Sequence, residues 1–513
     1  MTPENKSYLG LLLLSISALF LIPVTLAQDL PESTVSARLP DQFQAAFFPQ
    51  SDLTMPHRPS NPPHKGDSFT PYPPQVPFDV AGYPVAPQNL QLEQVHVYVR
   101  HGERTPVGIR LADPPANIPE HWMMCKTARR FKAAVTGFMN ANPDTGEVLQ
   151  TRKVVERRDG RVADGECLLG ELTDIGRRST FSFGRGLRRL YIEKLGFLPD
   201  TMQDTKAVYF RTTNIPRTTE SLQQIIHGLY PTSKCHPAAI PPILIRNGKD
   251  ENLIGNTYNC KRLEILLVSF AKAAAEAFNH TLEHLDPKLS KYLDGNPIRI
   301  DGKPRASGVL DTVRAAAAHG LIVPPEFEDP RVIDLIERAV VTEWFAGTYL
   351  LPPWPTEEVR RLGMGPLMGD MIRKMQHKVE HGDKDSLKIL VHSTHDTAIA
   401  GLCSTLDVFD EKWPAFTAAI TFELFKKSDD SANQSRSPNY PQSFLSFLGK
   451  TSPAQHYIRM RYQHKNLILP LCAGSGRHLE GHPEFCTLAA FQERVNELVP
   501  SDWDAECLSA GRL

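Results

Sequence analysis

Three short apolar stretches of this chain share one design. Val95, Val97 and Val99 alternate with polar or aromatic residues and then meet Arg100-His101-Gly102. Ala207-Val208-Tyr209-Phe210 runs into Arg211-Thr212-Thr213, and Ile389-Leu390-Val391 runs into His392-Ser393-Thr394-His395-Asp396. Such runs predict strands that end in polar residues. Two are followed by helical spacing: Leu222, Ile225, Ile226 and Leu229 behind a cap at Thr218 or Thr219, and Ile399, Leu402, Cys403 and Leu406 behind Asp396. Strand, polar turn and helix form the unit of a parallel sheet whose ligands collect at the carboxyl ends of the strands. The expected fold is therefore α/β, with a mostly parallel central sheet flanked by helices and three strand ends able to converge on one pocket.

Between residues 259 and 381 the pattern changes. KRLEILLVSFAKAAAEAF, DTVRAAAAHG and RVIDLIERAVVTEWFAGTYL carry apolar stripes at helical period with few strand signals, which predicts a helical cap inserted into the α/β domain. Thirteen of the 43 prolines lie between Gln28 and Leu92, marking an extended segment, so folding is expected to begin near Glu93 and to run to about residue 510. The SDDSANQSRSPNYPQS run over 428–443 reads as an exposed loop.

At the N-terminus, Lys6 precedes an apolar stretch from Leu9 to Ala27 whose small residues Thr25 and Ala27 suit a secretory cleavage site. Its length also suits an uncleaved anchor, and membrane contact is expected only in that case. Behind such a signal, eight cysteines without a C-x-x-C pair point to disulfides rather than metal ligands, and the even number permits four bridges. Asn279 and Asn433 head acceptor sequons for glycosylation. With 57 Lys+Arg against 58 Asp+Glu, the charge balance gives no reason to expect a nucleic-acid partner.

Local charge is another matter. Planar guanidinium groups match the oxygens of a phosphate monoester, and Arg100, Arg104 and Arg211 would supply such a clamp. His101, between two of them, is placed to attack phosphorus, with the arginines lowering its pKa. Asp396, beside His395, is the candidate proton donor to the leaving group. The scheme requires no metal or other cofactor, because the arginines carry the charge an ion would otherwise handle. His392 and His395 have an H-x-x-H spacing but point to different faces of a strand, which argues against a metal pair. Cys472-Ala-Gly-Ser-Gly-Arg477 holds one residue too few for a cysteine phosphatase loop.

Arg100-His101-Gly102-Glu103-Arg104-Thr105-Pro106 resembles the RHGxRxP signature of the histidine acid phosphatases, and His395-Asp396 resembles their distant His-Asp pair. Gly170-Glu171-Leu172-Thr173-Asp174-Ile175-Gly176 looks like the family's G-x-LT-x-x-G turn, and Arg211 in YFRTT aligns with its third phosphate-binding arginine. The likeness runs from about Glu93 to Cys507. It implies an α/β core with a helical cap and hydrolysis of small phosphate monoesters at acidic pH through a phosphohistidine. On that likeness the nucleophile is His101 and the proton donor Asp396, while Arg100, Arg104, Arg211 and His395 bind phosphate. Within the family, residues 406–425 look most like the lysophosphatidic acid phosphatase branch. The same likeness suggests that Cys260 bridges to Cys507 and Cys472 to Cys486. Two other readings stand beside it: a mutase-like phosphotransferase, since the related mutases share the Arg-His-Gly-Glu start, and an inactive lumenal phosphate-binding module.

Overall fold

In the computed structural model, residues 78–135, 147–349, 356–428 and 455–508 are described. The signal segment, most of the Pro-rich segment, Asn433 and all but the first residue of the 428–443 run lie outside them.

The first long strand, β1 (Leu90–Arg100), is buried without a break from Gln94 to Arg100. It lies inside a sheet covered on both faces, where apolar side chains are needed on each side. Its neighbours are β2 (Val208–Thr212), β3 (Ile243–Ile245), β4 (Ile389–Thr394), β5 (Ala419–Lys427), β6 (His456–Tyr462), β7 (Lys465–Leu467), β8 (His478–Leu479) and β9 (His482–Thr487). Their order is β8-β9-β6-β5-β1-β4-β2-β3, with β7 paired to β6. The four strands β1, β4, β2 and β3 are parallel, with Val97 and Phe210 both opposite Val391. Strands β5 to β9 extend the sheet in antiparallel fashion. The three stretches singled out by their pattern are therefore adjacent parallel strands, and their carboxyl ends lie side by side.

Alternation decides which helices cover which face. Val95, Val97, Val99, Phe210 and Val391 pack with Phe183 and Leu187 of α1 (Asp174–Leu187) and Leu222 and Ile225 of α2 (Pro216–Leu229). Tyr98 points the other way, to Leu367, Met371 and Met375 of α7 (Gly365–His381), Ile399 of α8 (Asp396–Thr405) and Phe491 of α9 (Leu488–Leu498). The helices α3 (Lys261–Leu282), α4 (Ala306–Ala318), α5 (Pro330–Tyr349) and α6 (Thr356–Gly363) occupy the region expected to form a cap. Two boundaries differ from the expectation. Residues 365–381 belong to the sheet layers, because their Leu/Met stripe faces Tyr98. Ile118, Trp122 and the Cys125–Cys167 bridge join the core of α3 to α5, so the segment after the Arg-His-Gly motif also builds the cap.

Folding starts earlier than the proline content suggests. Phe78 stacks edge-on against Phe183 at 5.6 Å, and Tyr83 is buried. Aromatic residues between the prolines supply apolar area that extended backbone can dock without regular structure. The Tyr83 hydroxyl donates to Glu423 Oε1 (2.9 Å), as does Tyr191 (2.8 Å), while Arg459 Nε donates to Oε2 (2.8 Å). Cys260 pairs with Cys507 and Cys472 with Cys486, whereas Cys235 and Cys403 are free thiols, so three bridges form rather than four. Asn279 donates its side-chain amide to Asp301 and accepts from the Ile300 N–H, which ties the sequon, in the last turn of α3, to the turn at residues 300 and 301.

Glu423 and Arg459 are both fully buried, so removing one strands the other's charge. Glu423→Ala is expected to cost about 3–5 kcal/mol, seen as a lower urea midpoint at unchanged m-value.

Candidate active site

His101 is the first residue beyond β1, held by its N–H to Thr394 O (2.9 Å) and by its carbonyl, which accepts from Thr417 N–H (3.1 Å). Its Nδ1 lies 2.8 Å from Gly102 O. A carbonyl only accepts, so Nδ1 carries the proton and Nε2 is left with its lone pair. Burial, then the charges of Arg217, Arg100 and Arg104, hold the imidazole well below its usual pKa. The ring is neutral and nucleophilic even in mild acid.

The loop that carries it is clamped from one side. Gly102 packs so closely on α1 that a Cβ would stand 2.4 Å from Gly176 O, and a Cβ on Gly176 would stand 2.1 Å from Glu103 O. Thr173, the N-cap of α1, donates its N–H to Glu103 O (3.0 Å), and Thr105 N–H donates to Glu171 O (3.1 Å). The Gly170–Gly176 turn is thus the mould for the Arg-His-Gly loop.

Arg100 spans the pocket floor. Its Nη1 donates to Pro414 O (2.6 Å), its Nη2 pairs with Asp396 Oδ2 (2.6 Å), and its guanidinium lies 4.2 Å from the Phe416 ring centre. Arg104 Nη1 pairs with Asp311 Oδ1 of α4 at 2.9 Å, so the cap supplies one wall. On the far side His395 N-caps α8, its ring 5.5 Å from that of His101. Its Nε2 lies 3.0 Å from Thr213 Oγ1, which lies 2.8 Å from Thr218 Oγ1, so two threonines past the end of β2 orient the imidazole. Asp396 opens α8; its Oδ1 accepts from Thr397 N–H (2.9 Å) and its Oδ2 from the Trp413 indole (3.2 Å). Burial raises the Asp396 pKa, but Arg100 and Arg104, with His395 and Arg217, outweigh it and hold the carboxyl below its ordinary value.

Arg211 stands elsewhere. As a residue inside β2 it points to the face covered by α7, where its Nη2 pairs with Glu251 Oε1 (2.5 Å) and its Nη1 lies 3.8 Å from Asp370 Oδ2. The third guanidinium of the cluster belongs to Arg217. Helix α2 begins at Pro216, two residues before the expected cap, because proline favours the first helical turn. That start places Arg217 at the helix N-terminus beyond the strand end, where its charge is the strongest electrostatic influence on both His101 and His395. Burial first, then the neighbouring Arg104, depress the pKa of Arg217 to about 9; burial depresses that of Arg100 to about 10. The signal for Arg217 was the Ile-Pro-Arg-Thr-Thr sequence, with its proline at a helix start. Asp311 and Trp413, which touch Arg104 and Asp396, come from distant segments and carry no local signal.

Three buried guanidiniums facing two carboxylates and a neutral imidazole make a pocket for a tetrahedral oxyanion, reinforced by the N-termini of α2 and α8. It opens into a cavity of about 880 Å³ whose wall includes Leu310, Leu321, Ile322, Val340, Trp413 and Phe416.

With this geometry established, comparison places the chain among known proteins. The family profile of the histidine phosphatase superfamily (branch 2) matches residues 91–463. A probable acid phosphatase of Schizosaccharomyces pombe is 33% identical over 452 residues, covering 82% of this chain and 95% of that protein. Lysophosphatidic acid phosphatase type 6 of Mus musculus is 25% identical over 351 residues, covering 67% of this chain and 78% of that one. Among solved structures, the multiple inositol polyphosphate phosphatase of Bifidobacterium longum, in complex with inositol hexasulfate, shares the fold at a TM-score of 0.52 and 11% identity, over 85% of this chain and 98% of that one. The chain belongs to branch 2 of the histidine phosphatase superfamily.

The two arginines separate in an experiment. Arg217→Met is expected to weaken inorganic phosphate binding about 10- to 100-fold, the worth of a charge-assisted hydrogen bond. Arg211→Met should alter phosphate affinity by less than about twofold while costing about 3–5 kcal/mol of stability through the stranded Glu251. Calorimetric titration and urea unfolding read the two effects.

Proposed function

We propose that the protein is a phosphomonoesterase working through a phosphohistidine, with Arg100, Arg104, Arg217 and His395 binding the phosphoryl group. The observation that carries this reading is the free Nε2 of His101 inside a ring of guanidiniums, its Nδ1 proton fixed on Gly102 O. The Nε2 lone pair forms the N–P bond as the ester P–O bond breaks, and the departing oxygen takes a proton from Asp396. The ring becomes cationic, and Gly102 O steadies it through the Nδ1 proton. Water then attacks the phosphohistidine, giving its proton to the Asp396 carboxylate as the N–P bond breaks; the phosphate takes that proton as it leaves as the monoanion, so both residues return to their starting state.

Asp396 is ionised in the free protein at pH 5, because Arg100 holds it so. The proton it donates arrives with the substrate: a monoester monoanion shares Arg100 with the carboxylate, and its negative charge raises the Asp396 pKa. Activity at acidic pH follows, since the second phosphate proton is lost near pH 6 or so. The apolar wall that begins at Phe416 suits a substrate with a hydrocarbon portion, a lysophospholipid such as lysophosphatidic acid among them. Three disulfides favour a secreted or lumenal setting, reached through residues 1–27, and no helix among the described residues is long and apolar enough to cross a membrane.

His101→Ala should abolish turnover of an aryl phosphate and the labelled phosphoprotein trapped by acid quench; a fully active variant would overturn the mechanism. Asp396→Asn should lower kcat about 10²- to 10⁴-fold for alkyl esters, the usual worth of a general acid. Because the His101 pKa is lowered, protonation of the nucleophile does not limit the rate in mild acid. The pH profile of kcat/KM should therefore show no loss on the acid side through the ordinary histidine range and fall about tenfold per unit above about pH 6.

A further inference from the structure

Of the phosphate clamp, Arg100 and Arg104 line the cavity, and the wall above them holds a charge that the proposed chemistry does not use. Helix α4 turns Ser307, Leu310, Asp311 and Arg314 toward the cavity at helical spacing. Asp311 touches Arg104, and Arg314 follows one turn later, about 5 Å along the helix axis. The charge of Arg314 is felt by Arg100. Its Nη2 lies 2.6 Å from Glu337 Oε1 of α5, without the alignment of a hydrogen bond, and both Nε and Nη2 are buried with no aligned acceptor.

Glu337 is already occupied, since its Oε1 accepts the backbone N–H of Trp413 (2.7 Å). The Trp413 indole in turn reaches Asp396. The Arg314–Glu337 pair is thus neutral overall and fixed to the frame that holds the proton donor; with Nε and Nη2 sealed from the cavity, Nη1 of the partly exposed side chain is the donor that faces it. Around the pair the wall is largely apolar, with Leu310, Leu321, Val340 and the exposed Ile322, and Glu328 adds a carboxylate.

We propose that Arg314 is a specificity-determining residue that reads an acceptor oxygen on the leaving group, a hydroxyl, ether or carbonyl two or three bonds beyond the ester oxygen. The preferred substrates are then phosphate monoesters of oxygenated alcohols with an apolar remainder, and plain alkyl phosphates are disfavoured. This inference rests on the phosphomonoesterase reading. A second anionic group is not its target, because Glu337 already cancels the charge of Arg314.

Two esters of equal size and charge test it: 2-methoxyethyl phosphate and butyl phosphate, which differ by one oxygen in place of one methylene. The full-length protein should favour the ether ester in kcat/KM by about tenfold or more, and Arg314→Met should bring that ratio to about one or invert it. A structural role for Arg314 would lower both rates by a common factor and leave the ratio in place. The double variant Arg314→Met/Glu337→Gln removes the pair as a whole and carries the same expectation should the single variant not fold. A ratio near one in the unaltered protein, or a ratio that survives the substitutions, overturns the assignment while leaving the phosphatase reading intact. Turnover of neither ester by the unaltered protein overturns both.

Discussion

Three guanidinium groups confined together in a buried space repel one another, and the architecture around residues 100–104 is a response to that constraint. Arg100 is held against Asp396 and a carbonyl, Arg104 against Asp311, and Arg217 is fixed on the first turn of α2. The two counter-charges come from different parts of the chain, Asp396 from α8 and Asp311 from the cap helix α4. The pocket exists only when the parallel strands, the two helix N-termini and the cap are all in place, so the fold and the site form as one unit. The carboxylates balance the cations incompletely, and the remaining positive potential is what an oxyanion meets.

How much of this could be read beforehand depended on whether a signal was local. Strands β1, β2 and β4 and their polar ends were plain in the alternation, because strands buried on both faces need long apolar runs. The Arg-His-Gly loop, His395 and Asp396 follow those strands directly, and the structure places them around one space. The third arginine was misplaced by six positions. A strand residue and a residue past the strand end look alike in sequence when a proline between them is not recognised as a helix start. Here the sheet directs Arg211 to Glu251 and leaves the pocket to Arg217.

Other features had no local signature. Asp311 and Trp413 reach the site through tertiary packing, as does Phe416 beneath Arg100. The reach of the cap was misjudged at its C-terminal end for a related reason. An amphipathic stripe declares that a helix buries one face but not what it buries it against, and Met371 and Met375 chose the sheet. The docking of Phe78 and Tyr83 was hidden by prolines, which forbid regular structure without forbidding burial.

The Tyr83 hydroxyl and the Pro84 carbonyl both bind Arg459 deep inside the antiparallel half of the sheet. A peptidase that trims this chain from its amino end therefore meets a thermodynamic stop rather than a sequence mark. Shortening that spares Phe78 leaves the fold its anchor, whereas a cut past Tyr83 exposes a buried ion pair to water. The stable amino terminus of any matured form is thereby confined to the residues before that aromatic anchor.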